Sequence, residues 1–188
     1  MSADVWKSFE ENQITHSAAH YLMTINTLLA EQGYARVTDI AKHLNITRGS
    51  CSISLRPLKR RGLVVEDDNK FLQLSGEGKR LAELVERNDE LLETLLRDVL
   101  RVSDEQAEID ACKIEHLLSI ETSVKLANFI HVIQSDRKVV KQFLKLLHEQ
   151  TLHCSHEAAR CDLCQHICFF EGEEETEQTA ARLTRLDH

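Results

Sequence analysis

The sequence predicts a mainly α fold, an N-terminal winged helix-turn-helix followed by a helical dimerisation domain. Three observations predict it. Two short helical patterns, each opened by a threonine, flank a tight break at Asn45 and Ile46; a hairpin-length pair of apolar strands follows; and the rest is a run of amphipathic helices with more apolar surface than one small domain needs. At 188 residues the chain is long enough for two small cores. The expected organisation is a winged helix-turn-helix over 1–75, a helical domain over 76–150, and a Cys/His-rich tail with an acidic end over 151–188.

Residues 17–32 place Leu22, Ile25, Leu28 and Leu29 on one helical stripe, which Gly33 ends, while His16, His20 and Met23 occupy the other face. A short helix over 37–44, with Thr38 as its cap, leads through the break to Thr47, which caps the second helix. There Cys51, Leu55 and Leu58 recur at i, i+4 and i+7 and face the core, leaving Arg48, Ser50, Ser54 and Arg56 outward. Pro57 would cost a helix interior roughly 3 kcal/mol unless the helix kinks or ends nearby. Residues 63–75 read as two strands around Asp67, Asp68 and Asn69, the hairpin that forms a wing. A long helix is expected over 77–100, then helices over 104–118 and 121–134. A last one over 136–148 should turn Val139, Val140, Phe143, Leu144 and Leu147 inward.

Net charge is −8, yet residues 36–61 carry seven lysines and arginines against the single Asp39. A basic island in an acidic chain marks one cationic contact surface, suited to double-stranded DNA. Arg36, Lys42, Lys59, Arg60 and Arg61 fit phosphate contacts, Arg48, Ser50 and Ser54 are better placed for base edges, and Thr47 and Arg56 complete the DNA-binding set. No apolar run is long enough to span a bilayer, and the polar N-terminal stretch lacks the pattern of a signal peptide, so a cytoplasmic protein is expected. No nucleophile motif or phosphate loop is present, which argues against an enzyme.

On a helix through residues 105–118, steps of 100° bring Glu105, Glu108, Cys112, Glu115 and His116 into one stripe. Thiolate, carboxylate and imidazole together suit a divalent first-row transition metal, and a fourth ligand must come from elsewhere. His20, on the otherwise unused polar face of the first helix, can supply it. The rival reading is a small buried cysteine beside two solvated polar residues. Asp89 and Glu93, one turn apart, could join Glu108 in a second, oxygen-rich site, or simply form a solvated face.

The order of these parts resembles the iron- and manganese-dependent repressors typified by the diphtheria toxin repressor and the manganese transport regulator. The resemblance covers residues 14–148. It rests on HYLMTINTLL, GYARVTDIAKHLNITRGSCSISLRPLKRRGLV and LQLSGEGKRLAE, and most specifically on ACKIEHLLS, which looks like the metal-binding helix of the iron-sensing branch. It implies primary-site ligands at Cys112, Glu115 and His116, with His20 standing where the family usually has Met or Asp. It implies ancillary ligands at Asp89, Glu93 and Glu108, with Asp89 and Glu108 in place of histidines, and Met23 where the manganese branch uses a carboxylate. The chain ends too early for the SH3-like third domain of longer members.

These readings imply a metal-dependent repressor that binds operator DNA as a homodimer and controls metal homeostasis genes. Cys112 favours Fe2+, because a thiolate discriminates against hard Mn2+; Mn2+ ranks second and Zn2+ third. The tail holds Cys154, Cys161, Cys164 and Cys168 in a C-x6-C-x2-C-x3-C pattern with interleaved histidines, ample for Zn2+ or an iron–sulfur cluster. The alternative is therefore a winged-helix regulator that senses redox state, or a cluster, through those four cysteines.

Overall fold

The computed structural model describes residues 14–149, of which those up to Leu144 pack as one compact unit. Helix α1 (His16–Gln32) starts at Thr15, whose hydroxyl accepts the Ala18 N–H, and stops at Gly33, which takes a left-handed φ of 80°. Helix α2 (Val37–His43) follows, then α3 (Arg48–Arg60), then the antiparallel strands β1 (Val64–Glu66) and β2 (Leu72–Leu74), paired Val64 to Leu74 and Glu66 to Leu72. Leu72 also donates to the Ala35 carbonyl at 2.8 Å, which ties the wing to the start of the helix-turn-helix. Leu22, Ile25, Ile40, Cys51, Leu55, Leu58, Leu63 and Leu72 form the core of this half. The expected inward face of α3 is thus the buried one.

Thr47 caps α3 as its sequence position predicts, its hydroxyl accepting the Ser50 N–H at 3.1 Å. The Thr38 cap expected for α2 is not the one used. The cap lies two residues earlier, at Arg36, because the Asp39 carboxylate accepts the Arg36 N–H and a carboxylate at the third position closes the turn better than a hydroxyl at the second. Helix α3 runs through Pro57 to Arg60. The missing N–H leaves the Ile53 carbonyl without its helical partner on a face where Ile53 is 61% exposed, so the loss falls on a solvent-facing side of the helix.

Helix α4 (Gly76–Glu93) is capped by Ser75 and packs along α1. Gly78 on its first turn lies against the wing: a Cβ there would meet the Leu63 carbonyl oxygen at 2.1 Å, and that carbonyl already accepts the Ser75 N–H. Gly78→Ala is expected to destabilise the protein by about 2–4 kcal/mol, read as a lowered urea midpoint with an unchanged slope.

The long helix expected over 77–100 changes winding partway. Residues Thr94–Val99 form a π-helical stretch, closed by the Leu100 N–H on the Leu95 carbonyl and ended by Arg101 at a φ of 62°. Helix α5 (Asp104–Ile114) then gives way to a single 3-10 turn (Glu115–Leu117), short of the expected end at 118. Helices α6 (Ile120–Ile133) and α7 (Lys138–Glu149) complete the described chain. The apolar stripe of α7 does not turn inward as expected. Val140 is buried, but Val139 is 75% exposed and Phe143 48%, because periodicity identifies an apolar face without naming what covers it. Ile120, Val124, Phe129 and Val132 on α6 are exposed in the same way. None of the described helices is long and apolar enough to cross a membrane.

Candidate metal centre

Two elements far apart in sequence supply the donors. The first turns of α1 carry His16 and His20, one helical turn apart, with rings 4.4 Å between centroids and nearly perpendicular. The end of α5 carries Cys112, and the 3-10 turn carries Glu115 and His116. His20 Nε2 lies 3.2 Å from Cys112 Sγ and 4.0 Å from Glu115 Oε1. One donor atom from each of His16, His20, Cys112 and Glu115 lies within 4.8 Å of the other three, and among the described residues this is the one such grouping of metal-binding side chains.

The change of winding at Ile114 sets this geometry. Asn88 on α4, 1% exposed, donates from Nδ2 to the Glu115 carbonyl at 2.8 Å and pins the turn. Glu115 is thereby carried inside, where it is 1% exposed.

Burial and like charges then act on every donor. Burial, with the Asp89 charge and a hydrogen bond to Asp89, pushes the Glu115 carboxyl up to about 8. Burial, and then the charges of Glu115, Asp89 and Glu108, raise the Cys112 thiol. Burial and the neighbouring His16 lower His20; burial, His16 and His20 lower His116. The His20 and His116 imidazoles are therefore neutral and ready to ligate near pH 7, while the thiol and carboxyl still hold protons that a cation would displace. Glu115 Oε1 and His116 Nδ1 are buried without a hydrogen-bond partner. An orphaned carboxyl oxygen on Glu115 within a mixed S, N and O donor set fits a divalent transition-metal ion, which would satisfy it and relieve the crowding of negative charge.

The other expected ligands lie around this grouping. His116 is next to it, its ring 5.3 Å from that of His16. Asp89 is raised by burial first, then by the charges of Glu93 and, more weakly, Glu108, so the three carboxylates share one neighbourhood. Glu93 also pairs with Arg97 at 3.6 Å, Glu108 is exposed, and Met23 packs against the core. His16 was not among the expected ligands, although its i, i+4 spacing to His20 on the polar face carried the signal. Cys154, Cys161, Cys164 and Cys168 lie outside the described residues.

At the other end of this unit, Arg36, Arg48, Arg56 and Lys59 line a groove of about 550 Å³ between α3 and the wing. Ser52, Asn69 and Lys70 line it too; none of the three is among the expected DNA contacts, and Lys70 shows that the wing adds its own cation. Lys59 pairs with Glu66, as does Lys70 at 3.2 Å, and the Arg36 guanidinium sits 4.2 Å above the Phe71 ring. Lys42, Thr47 and Ser50 line a second concavity beside the first. Ser54 is half-buried, and Arg60 is exposed.

Comparison with known proteins gives matches to both halves. Residues 13–71 match the model for the N-terminal DNA-binding domain of iron-dependent repressors, and residues 75–144 match that for their metal-binding and dimerisation domain. The chain is 32% identical over 128 residues to the HTH-type transcriptional regulator MntR of Lysinibacillus sphaericus, covering 68% of this chain and 91% of that protein. It is 30% identical over 139 residues to MntR of Bacillus subtilis, covering 74% and 96%. Among solved structures, T. acidophilum IdeR matches with a TM-score of 0.51 at 26% identity. That match covers 66% of this chain and 56% of the longer IdeR chain. A manganese-dependent transcriptional repressor in complex with manganese matches with the same TM-score and identity, covering 60% of this chain and 52% of that one.

Proposed function

This chain belongs to the iron-dependent repressor family and is a metal-dependent DNA-binding regulator, not an enzyme; on that premise we propose that it binds operator DNA as a homodimer when a divalent ion occupies the His20, Cys112, Glu115 and His116 site. The observation that carries this reading is the 3.2 Å approach of His20 Nε2 to Cys112 Sγ across 92 positions of sequence. Helix α1 belongs to the winged-helix core, and Cys112 ends a helix of the following domain. These side chains hold an ion only while α1 and α5 keep one orientation. An ion bound by both thus raises the population of that orientation and fixes the two recognition helices of a dimer for grooves about 34 Å apart.

Ferrous iron is the favoured ion, with manganous and zinc ions next, because a thiolate and imidazoles are softer than the hard oxygen set that manganous ion prefers. The relatives compared above are both MntR proteins, and one similar structure is a manganese-dependent repressor in complex with manganese, so manganese regulation is the nearest rival for the physiological role. Asp89, Glu93 and Glu108 supply the ancillary oxygen ligands in this reading. The exposed apolar side chains of α6 and α7 supply the dimer contact, and the controlled genes are those of metal homeostasis. The chain works in the cytoplasm.

At the DNA, Arg36, Lys42, Lys59 and Arg60 meet phosphates, while Thr47, Arg48, Ser50, Ser54 and Arg56 lie at the recognition surface. If about four phosphates are neutralised per protomer, the logarithm of operator affinity should fall against log salt with a slope of about −7 for the dimer. A slope near zero would contradict this assignment. The functional test is an anaerobic titration of purified protein with ferrous, manganous and zinc ions, scored by binding to a DNA fragment the protein has selected from a random pool. Ferrous ion is expected to tighten binding at the lowest free concentration; equal affinity with every ion and with chelator would overturn the sensing role.

A further inference from the structure

We propose that His16 is a ligand of the metal centre, so that α1 contributes two imidazoles instead of one and the site selects borderline ions such as ferrous or zinc over manganous. The inference rests on the sensing site proposed above and assigns one more donor to it. His16 and His20 stand at i and i+4 on the first two turns of α1, facing Cys112 and Glu115. Their four donor atoms already lie within 4.8 Å of one another. A tetrahedral ion with bonds of about 2.0–2.3 Å holds its donors about 3.3–3.7 Å apart, so rotations of exposed His16 and half-buried Cys112 of an ångström or so close the set. His16 also touches both other imidazoles, with ring centroids 4.4 Å from His20 and 5.3 Å from His116. Two imidazoles of α1 grouped with one buried carboxyl oxygen that lacks a hydrogen-bond partner make little sense as a packing arrangement and good sense as a coordination shell.

The chemistry follows from donor type. Each imidazole nitrogen added beside a thiolate raises affinity along the series from manganous toward zinc, and an imidazole-rich set with one thiolate and one carboxylate departs from the six oxygen-rich positions manganous ion prefers. His16 is therefore a specificity-determining residue as well as a ligand.

The test uses the full chain with cobaltous ion as a spectroscopic probe and with zinc and manganous ions for affinity. Subtracting the cobalt spectrum of Cys112→Ser from that of wild type removes any contribution of the tail cysteines and isolates this centre. His16→Ala should weaken and shift the visible ligand-field bands of that difference spectrum. It should also lower zinc affinity at this centre by at least roughly 10–100-fold, the cost of disturbing even an outer-shell partner, and change manganous affinity by much less. His16→Asp should restore binding while moving preference toward manganous ion. His16 is exposed at the start of α1, so circular dichroism should show both variants folded. A His16→Ala spectrum and zinc affinity equal to those of wild type would overturn the inference while leaving metal-dependent DNA binding standing. An altered cobalt spectrum in a protein whose DNA affinity ignores metal would sustain the inference and sink the sensing role.

Discussion

Replacing Cys112 with alanine should abolish the gain in operator affinity that a divalent ion gives the wild-type chain, a loss on the order of 5–150-fold, the usual span of an allosteric coupling. Cys112 is only half-buried and its Sγ lies 3.2 Å from His20 Nε2, so the substitution removes a donor and little packing. The variant should keep its helical circular dichroism and its weak metal-free DNA binding. Fluorescence anisotropy of labelled operator, with chelator and with saturating ferrous ion, separates the outcomes. A Cys112→Ala protein that still responds fully to metal would remove the thiolate from the mechanism.

Metal affinity should climb steeply with pH, by up to about 100-fold per unit below pH 8. The sign follows from the shifts. The Glu115 carboxyl is raised to about 8 and the Cys112 thiol is raised above its ordinary value, so near neutrality both carry protons that an ion must displace. His20 and His116 are lowered below the ordinary imidazole value, so they are already neutral at pH 7 and release nothing. Two protons lost per ion bound gives a slope of about two log units per pH unit. Dissociation constants at pH 6.5, 7.0 and 7.5 measure it, and a flat profile would show that neither group ligates in its charged form. The same shifts act oppositely on the metal-free fold. Because the folded pKa of Glu115 is raised, its stabilising contribution is complete below about pH 4.5 and is lost as pH rises toward 8. Because those of His20 and His116 are lowered, theirs is present above about 6.5 and is lost as pH falls.

Much of this organisation is legible from local chemistry. Thr47, followed by a run with Cys51, Leu55 and Leu58 at helical spacing, specifies the cap and the buried face of α3 without help from any distant residue. The clustering of Cys112 with Glu115 and His20 is legible from residue type and period, and the family pattern sharpened it. What escaped depends on contacts across the chain. Stepping by 100° through residue 118 assumes an unbroken helix, whereas α5 ends at Ile114 and the Asn88 hydrogen bond to the Glu115 carbonyl, 27 positions away, holds the next turn in a tighter winding. The π-helical stretch after Glu93 and the outward face of α7 escaped for the same reason, since neither winding defects nor missing partners leave a periodic trace. The choice of Arg36 over Thr38 as the α2 cap was local, but two signals competed within three residues, and the Asp39 carboxylate decided it.

In the proposed mechanism one divalent ion, held between α1 and the end of α5, is coupled to DNA binding. Coupling between two ligands is reciprocal, so the factor by which metal tightens DNA binding must equal the factor by which DNA tightens metal binding. The most direct measurement is therefore the affinity of the wild-type protein for ferrous ion with and without saturating operator DNA, under anaerobic conditions and at one pH. The predicted result is a tighter metal affinity in the presence of operator, by the same roughly 5–150-fold factor that metal confers on DNA binding. Identical metal affinities with and without DNA would contradict the account, because an ion indifferent to the DNA-bound orientation cannot be the switch that selects it.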